Sequence, residues 1–201
     1  MTIAVLDYGS GNLRSVSHAL RHVGAEVVVT GDPELVRSAS GLVVPGVGHF
    51  GACISALRER ELDATIKDFI ASGRPVFGVC VGMQVLFDGS DEAPGIPGLS
   101  VFDGWVRRLP ETVKVPHMGW DTVVWRPEPL HPYIADIPFT WFYFAHSYAA
   151  HAVRATGVSR YGGLFAAAVS HDNVFATQFH PERSGPWGLK LYEAFVRDAE
   201  R

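Results

Sequence analysis

The first eighty residues alternate short apolar runs with stretches of helical periodicity, and that alternation admits few folds. Thr2–Asp7, Glu26–Thr30, Gly41–Val44 and Pro75–Val79 are the strand-like runs. After the first, Gly9-Ser10-Gly11-Asn12 breaks the chain. Leu13, Val16, Ala19, Leu20 and Val23 then recur at helical spacing until Gly24. Asp32-Pro33 opens a short helix before the third run, and a long helical stretch from about Ala52 to Ser72 precedes the fourth. Strands separated by helices pair in parallel through right-handed crossovers. Pro75–Val79 is apolar throughout and is expected at the centre of the sheet.

The second half changes character. A Pro/Gly loop at Ser90–Ser100 is followed by strand-like runs at Val101–Leu109, Thr122–Trp125, Trp141–Ala145, Ala152–Val158, Leu164–Val169 and Val174–Gln178. Helical spacing returns only at Pro186–Glu200. The expected architecture is α/β: an open, mostly parallel sheet flanked by helices, with an antiparallel or mixed extension and a C-terminal docking helix. The length of 201 residues suits a single domain over 1–201, and no composition break divides it.

Hydrophobic residues make up 47% and charged residues 19%, enough for a full core. The net charge of −4, without a Lys/Arg run, speaks against nucleic acid or an anionic membrane as partner. No apolar stretch approaches the roughly 20 residues that span a bilayer. The N-terminus lacks a basic segment, a long apolar stretch and a cleavage site, so a cytosolic location is expected. Cys53 and Cys80 fit no zinc spacing, and the nine histidines form no H-E-x-x-H, so no metal is expected.

Gly78-Val79-Cys80-Val81-Gly82 follows the fourth strand and precedes the helical run Met83–Phe87. That is the strand–turn–helix setting of a nucleophile elbow. Two glycines clear space around a sharp turn, and the turn lifts Cys80 out of the sheet edge at a helix N-terminus that favours thiolate. The Val81 N–H then faces a developing oxyanion. Cys53, in a helical pattern without flanking glycines, reads as a packing residue. A thiol nucleophile needs a base and a group to orient it. Gln178-Phe179-His180-Pro181-Glu182 supplies both, because residues two apart in extended chain project to one side. Pro45-Gly46-Val47-Gly48 can present bare N–H groups at the C-terminal sheet edge or be a plain turn. Gly9-Ser10-Gly11 imitates a dinucleotide fingerprint but lacks its third glycine, where Arg14 stands. His117 and His146 sit beside aromatics and read as packed or interface residues.

Gly-Val-Cys-Val-Gly-Met-Gln at 78–84 and Gln-Phe-His-Pro-Glu at 178–182 resemble the hallmark segments of class I glutamine amidotransferases. Asp7–Asn12, Pro45–Phe50, Pro116-His117-Met118-Gly119-Trp120 and Phe144–Tyr148 narrow the resemblance to the family branch that serves imidazole glycerol phosphate synthases. It runs from residue 3 to about 198. The resemblance implies that Cys80 attacks the glutamine carboxamide and that His180 carries the protons. It implies that Glu182 orients His180, and that the Val47 and Val81 backbone holds the oxyanion. Gly48, Gln84 and the Ser147-Tyr148 backbone would bind the glutamine head. Gln84, one helical turn beyond Cys80, offers both a donor and an acceptor for that task. The implied partner is a (β/α)₈-barrel cyclase, with Trp120 and Arg183 on its interface, and no cofactor is implied. Arg183 stands where a Lys is expected, and Ala145 where Val is commoner. The freedom of the Gly46-Val47-Gly48 turn suggests an oxyanion hole that is not preformed. Another amidotransferase glutaminase and a non-catalytic domain of the same fold are the alternatives.

Overall fold

In a computed structural model of the chain, residues 1–126, 131–151 and 155–201 are described. The alternating half forms β1 (Thr2–Leu6), α1 (Leu13–His22), β2 (Glu26–Thr30), α2 (Pro33–Ser38), β3 (Gly41–Gly46), α3 (Phe50–Glu59), α4 (Leu62–Ala71) and β4 (Val76–Cys80). Then come α5 (Val81–Gln84), β5 (Phe87–Ser90), β6 (Phe102–Arg108), β7 (His117–Trp125), β8 (Thr140–His146) and β9 (Tyr148–Ala150). The chain ends with β10 (Gly157–Arg160), β11 (Leu164–His171), β12 (Val174–Thr177), a 3-10 turn at Pro181–Arg183 and α6 (Gly185–Ala199).

Among the described residues the main sheet has nine strands in the order β2-β1-β3-β4-β12-β11-β10-β7-β8. The first five run parallel and the rest alternate, which is the expected mostly parallel sheet with an antiparallel extension. Every residue of β3, β4 and β12 is buried, as strands covered on both faces must be. Helix α6 closes one face: Tyr192 and Phe195 pack on Phe77 of β4, and Phe77 in turn packs on Phe175 of β12. A second sheet, β5-β6-β9, stands beside the main one.

Several expectations need correction. The helix expected over 52–72 is two helices, because Glu61 adopts a left-handed φ of 57° between them. Arg58-Glu59-Arg60-Glu61 offers nothing to bury, and the five-residue step from Leu57 to Leu62 breaks helical phase. The helix after Cys80 ends at Gln84, and Phe87–Ser90, expected as helix end and loop, is β5. Its pairing with β6 overrides weak strand propensity. Strand β7 begins at His117 rather than Thr122, drawn into register with β8 from His117↔His146 onward. The strand expected at Ala152–Val158 falls partly outside the described residues, and β10 starts at Gly157.

Candidate active site

Cys80 ends β4 and caps α5 with φ 55° and ψ −113°, a conformation a non-glycine residue holds only when its surroundings dictate it. What dictates it is a backbone-to-backbone contact. A Cβ on Gly82 would run into the Val44 carbonyl oxygen, and one on Gly46 would meet the Gly82 nitrogen. The start of α5 therefore presses directly on the end of β3, and the chain can make that turn only with the Cys80 side chain thrown forward.

The thiol sits in the floor of a cavity of about 310 Å³ at the C-terminal edge of the parallel strands, within the size range of small-molecule sites. Sequence-predicted residues Val47, Gly48, Cys80, Val81, Gln84, Ser147, Tyr148, His180 and Arg183 all line it. Glu182 does not; it lies behind the imidazole. His180 Nδ1 is 2.9 Å from Glu182 Oε1, and the Glu182 side chain is fully buried. Burial alone would depress the His180 pKa. Hydrogen bonding and charge from Cys80 and Glu182 outweigh it and raise the value to about 10. The ring is thus held as imidazolium between two anion-forming groups. The Cys80 sulfur acts on the ring both as hydrogen-bond partner and as charge.

The base is fixed from a second side. His180 N donates to Tyr143 O at 2.9 Å, and Ser184 Oγ donates to His180 O at 2.6 Å while accepting from Tyr143 N at 3.0 Å. That hydroxyl and the direct main-chain bond together join His180 to strand β8.

The Val47 peptide is tied down. Its carbonyl accepts from Ser10 Oγ at 2.7 Å, and its N–H donates to the same hydroxyl at 3.3 Å. Cys53 Sγ lies 3.4 Å from Ser10 Oγ and 3.6 Å from Val47 O. Cys53 was expected only to pack; it also takes part in this clasp. Ser10, set aside with the false dinucleotide fingerprint, is its centre. The Val47 N–H is therefore engaged elsewhere than at an oxyanion position.

Two binding expectations change in detail. Gln84 Nε2 donates to Tyr148 O and to Gln178 Oε1, both at 2.9 Å, so both amide hydrogens are spent inside the protein. Gln84 then offers a ligand its oxygen, not the donor also expected of it. The carbonyls of Ser147 and Tyr148 are likewise taken, by Leu109 N and by Gln84, so neither carbonyl is offered to a ligand. Sequence reading missed Glu92, whose carboxylate accepts from Phe50 N at 2.8 Å and lines the cavity beside Gln84. It is the acidic group of the cavity wall and suits an α-ammonium. It lay in a segment read as plain loop, with no local signal. Asn12 also lines the cavity.

Trp120 is half exposed on β7, and Arg183 stacks over the Tyr143 ring at 4.5 Å. Met118, Val124, Phe139 and Trp141 are exposed on or beside the same pair of strands. His117 and His146 are buried, hydrogen-bonded to one another at 3.1 Å. Among the described residues no cluster could hold a metal ion, and no helix is long and apolar enough to cross a membrane.

A cysteine elbow, an imidazole two residues from its carboxylate and a cavity over both define a cysteine-dependent amidotransferase. The chain belongs to the family described as Glutamine amidotransferase class-I, whose model matches residues 4–199. Within that family it is similar to proteins named "Imidazole glycerol phosphate synthase subunit HisH". The one from Methanothermobacter thermautotrophicus is 43% identical over 96% of this chain and 97% of its own. That of Acinetobacter baylyi is 43% identical over 96% and 97%, and that of Dechloromonas aromatica 46% over 97% and 95%. Among solved structures, one described as "Crystal structure of glutamine amidotransferase" superposes with a TM-score of 0.73 at 24% identity, covering 99% of both chains. Another, described as "Structure of PurLQS from Thermotoga maritima", gives 0.74 at 18% identity over 98% of this chain and 97% of its own. These last two share the fold.

Proposed function

We propose that this chain is the glutaminase subunit of an imidazole glycerol phosphate synthase. It hydrolyses glutamine to glutamate and ammonia and delivers the ammonia to a (β/α)₈-barrel cyclase. That cyclase makes imidazole glycerol phosphate and aminoimidazole carboxamide ribotide in histidine biosynthesis. The observation that carries the chemistry is the strained Cys80 lining one cavity with an imidazole whose pKa Cys80 and Glu182 together raise.

Each residue has its own task. Glutamine enters with its ammonium toward Glu92 and the Gln84 oxygen, and with its carboxylate toward the Ser147 and Tyr148 N–H groups and Gly48. Cys80 sulfur attacks the carboxamide carbon, and the oxyanion forms against the Val81 N–H at the start of α5. His180 gives its proton to the departing ammonia, leaving a thioester. It then takes a proton from water as that water attacks, and the thiolate leaves. Glu182 keeps the ring oriented throughout. The Val47 N–H joins the oxyanion site only after leaving Ser10.

Ammonia in neutral water is mostly ammonium and no nucleophile, so it must pass to its acceptor through a dry route. The exposed Met118, Trp120, Val124 and Trp141 on β7 and β8, of which Met118 lines the cavity, supply the apolar surface for such a partner. Arg183 at the same rim takes the place of the expected Lys.

Two measurements test this. A diazo-ketone analogue of glutamine adds its mass to Cys80; no adduct, even with the cyclase present, sinks the enzyme reading. The glutaminase rate rises when the cyclase and its ligand are added; equal rates refute the partner.

A further inference from the structure

The Tyr148 carbonyl, which can only accept, sets the orientation of a buried row of side chains. Gln84 Nε2 and His146 Nδ1 both lie 2.9 Å from it, so both are donors. That fixes which end of the Gln84 amide is nitrogen and which tautomer His146 holds. The second Gln84 hydrogen goes to Gln178 Oε1 at 2.9 Å. An amide whose oxygen is held there must turn its nitrogen the other way. Gln178 Nε2 accordingly lies 3.7 Å from Cys80 Sγ, with the Gln178 residue wholly buried. On its far side His146 meets His117 Nδ1 at 3.1 Å, and His117 Nε2 faces Asp121 Oδ2 on β7 at 3.4 Å.

We propose that Gln178 is a further group acting on the nucleophile: its side-chain amide donates to the Cys80 sulfur, and the Gln84–Tyr148 carbonyl–His146 series holds it in that orientation. A donor on sulfur favours the charged form over the thiol. His180 faces the sulfur from the imidazole side and changes role as protons move, whereas the Gln178 amide keeps its hydrogens through every step. It therefore steadies the thiolate both before attack and when the thioester opens. A glutamine that merely filled space would need no donor aimed at sulfur, and its carbonyl would not need Gln84.

The proposal rests on Cys80 being the nucleophile, and its test separates the two. In the full chain, Gln178→Met keeps side-chain volume and removes the donor. The rate of Cys80 alkylation by iodoacetamide, followed by mass spectrometry against pH, has its midpoint about one pH unit higher in Gln178→Met than in the wild type. The cyclase-stimulated kcat falls about tenfold at neutral pH. The other ionisable groups that sense the sulfur, His180, Cys53 and Tyr8, are untouched by the substitution. An unchanged midpoint in a folded variant overturns the proposal. Wild-type Cys80 that takes no glutamine analogue would instead overturn the nucleophile. If Gln178→Met does not fold, wild-type protein labelled with ¹⁵N-glutamine decides. One side-chain amide then shifts with the alkylation midpoint and stays fixed in Cys80→Ser; if none does, Gln178 does not hold the sulfur.

Discussion

Replacing Ser10 by Ala should free the Val47 peptide and raise the glutaminase rate of the isolated chain. The Ser10 hydroxyl makes one contact to each of the two peptide units that flank Val47, at 2.7 Å to its carbonyl and 3.3 Å from its N–H. A net hydrogen bond is worth about 0.5–1.5 kcal/mol. Both contacts are exposed, and the Cys53 contact to Val47 O stays behind, so the lower half of that range applies to each. The clasp then holds the Val47 backbone, through both flanking peptide units, by about 1–2 kcal/mol, and its loss shifts the turned-out population by roughly 5–30-fold. The uncoupled kcat of Ser10→Ala should rise by that factor, read as glutamate release through glutamate dehydrogenase. The rate with cyclase and its ligand bound should stay the same, since the peptide has already turned there. An uncoupled rate equal to or below wild type, in a variant with unchanged melting temperature, refutes the clasp.

Glu182→Gln keeps the shape beside His180 Nδ1 but removes the charge; kcat in the complex should fall about 10²–10⁴-fold, measured as glutamine-dependent product formation. The raised His180 pKa, about 10 against an ordinary 6.5, gives a stability contribution present in full below pH 6.5 and lost as pH rises toward 10. Urea midpoints should therefore decline across that window, and the decline should flatten in His180→Gln. Gly82→Ala drives a Cβ into the Val44 carbonyl and should cost at least about 3 kcal/mol, a melting-temperature drop of roughly 10 °C by calorimetry.

Much of the parallel half was legible because each strand is a short apolar run ended by glycine, proline or a polar residue, and each helix carries one apolar stripe. Cys80 was legible because local spacing places an elbow; His180 and Glu182 do meet, but through a 3-10 turn at Pro181–Arg183 rather than as a same-side pair of an extended segment. The unread parts depend on distant partners. Ser10 matters through Val47, thirty-seven positions away, and Gln178 through Cys80, ninety-eight away. Glu92 comes from a loop whose residues announce nothing; only the fold turns its carboxylate into the cavity. Strands β5 and β9, four and three residues long, form because neighbours supply their hydrogen bonds, which no propensity records.

The Ser184 hydroxyl bridges the main chain of His180 and that of an outer strand. A tug on that strand by a bound protein reaches His180 through that hydroxyl and through the direct His180 N–Tyr143 O bond. In the proposed complex, occupancy of the outer surface and placement of the ring are thereby tied together by the same few atoms, and Ser184→Ala would leave the direct main-chain bond to join them.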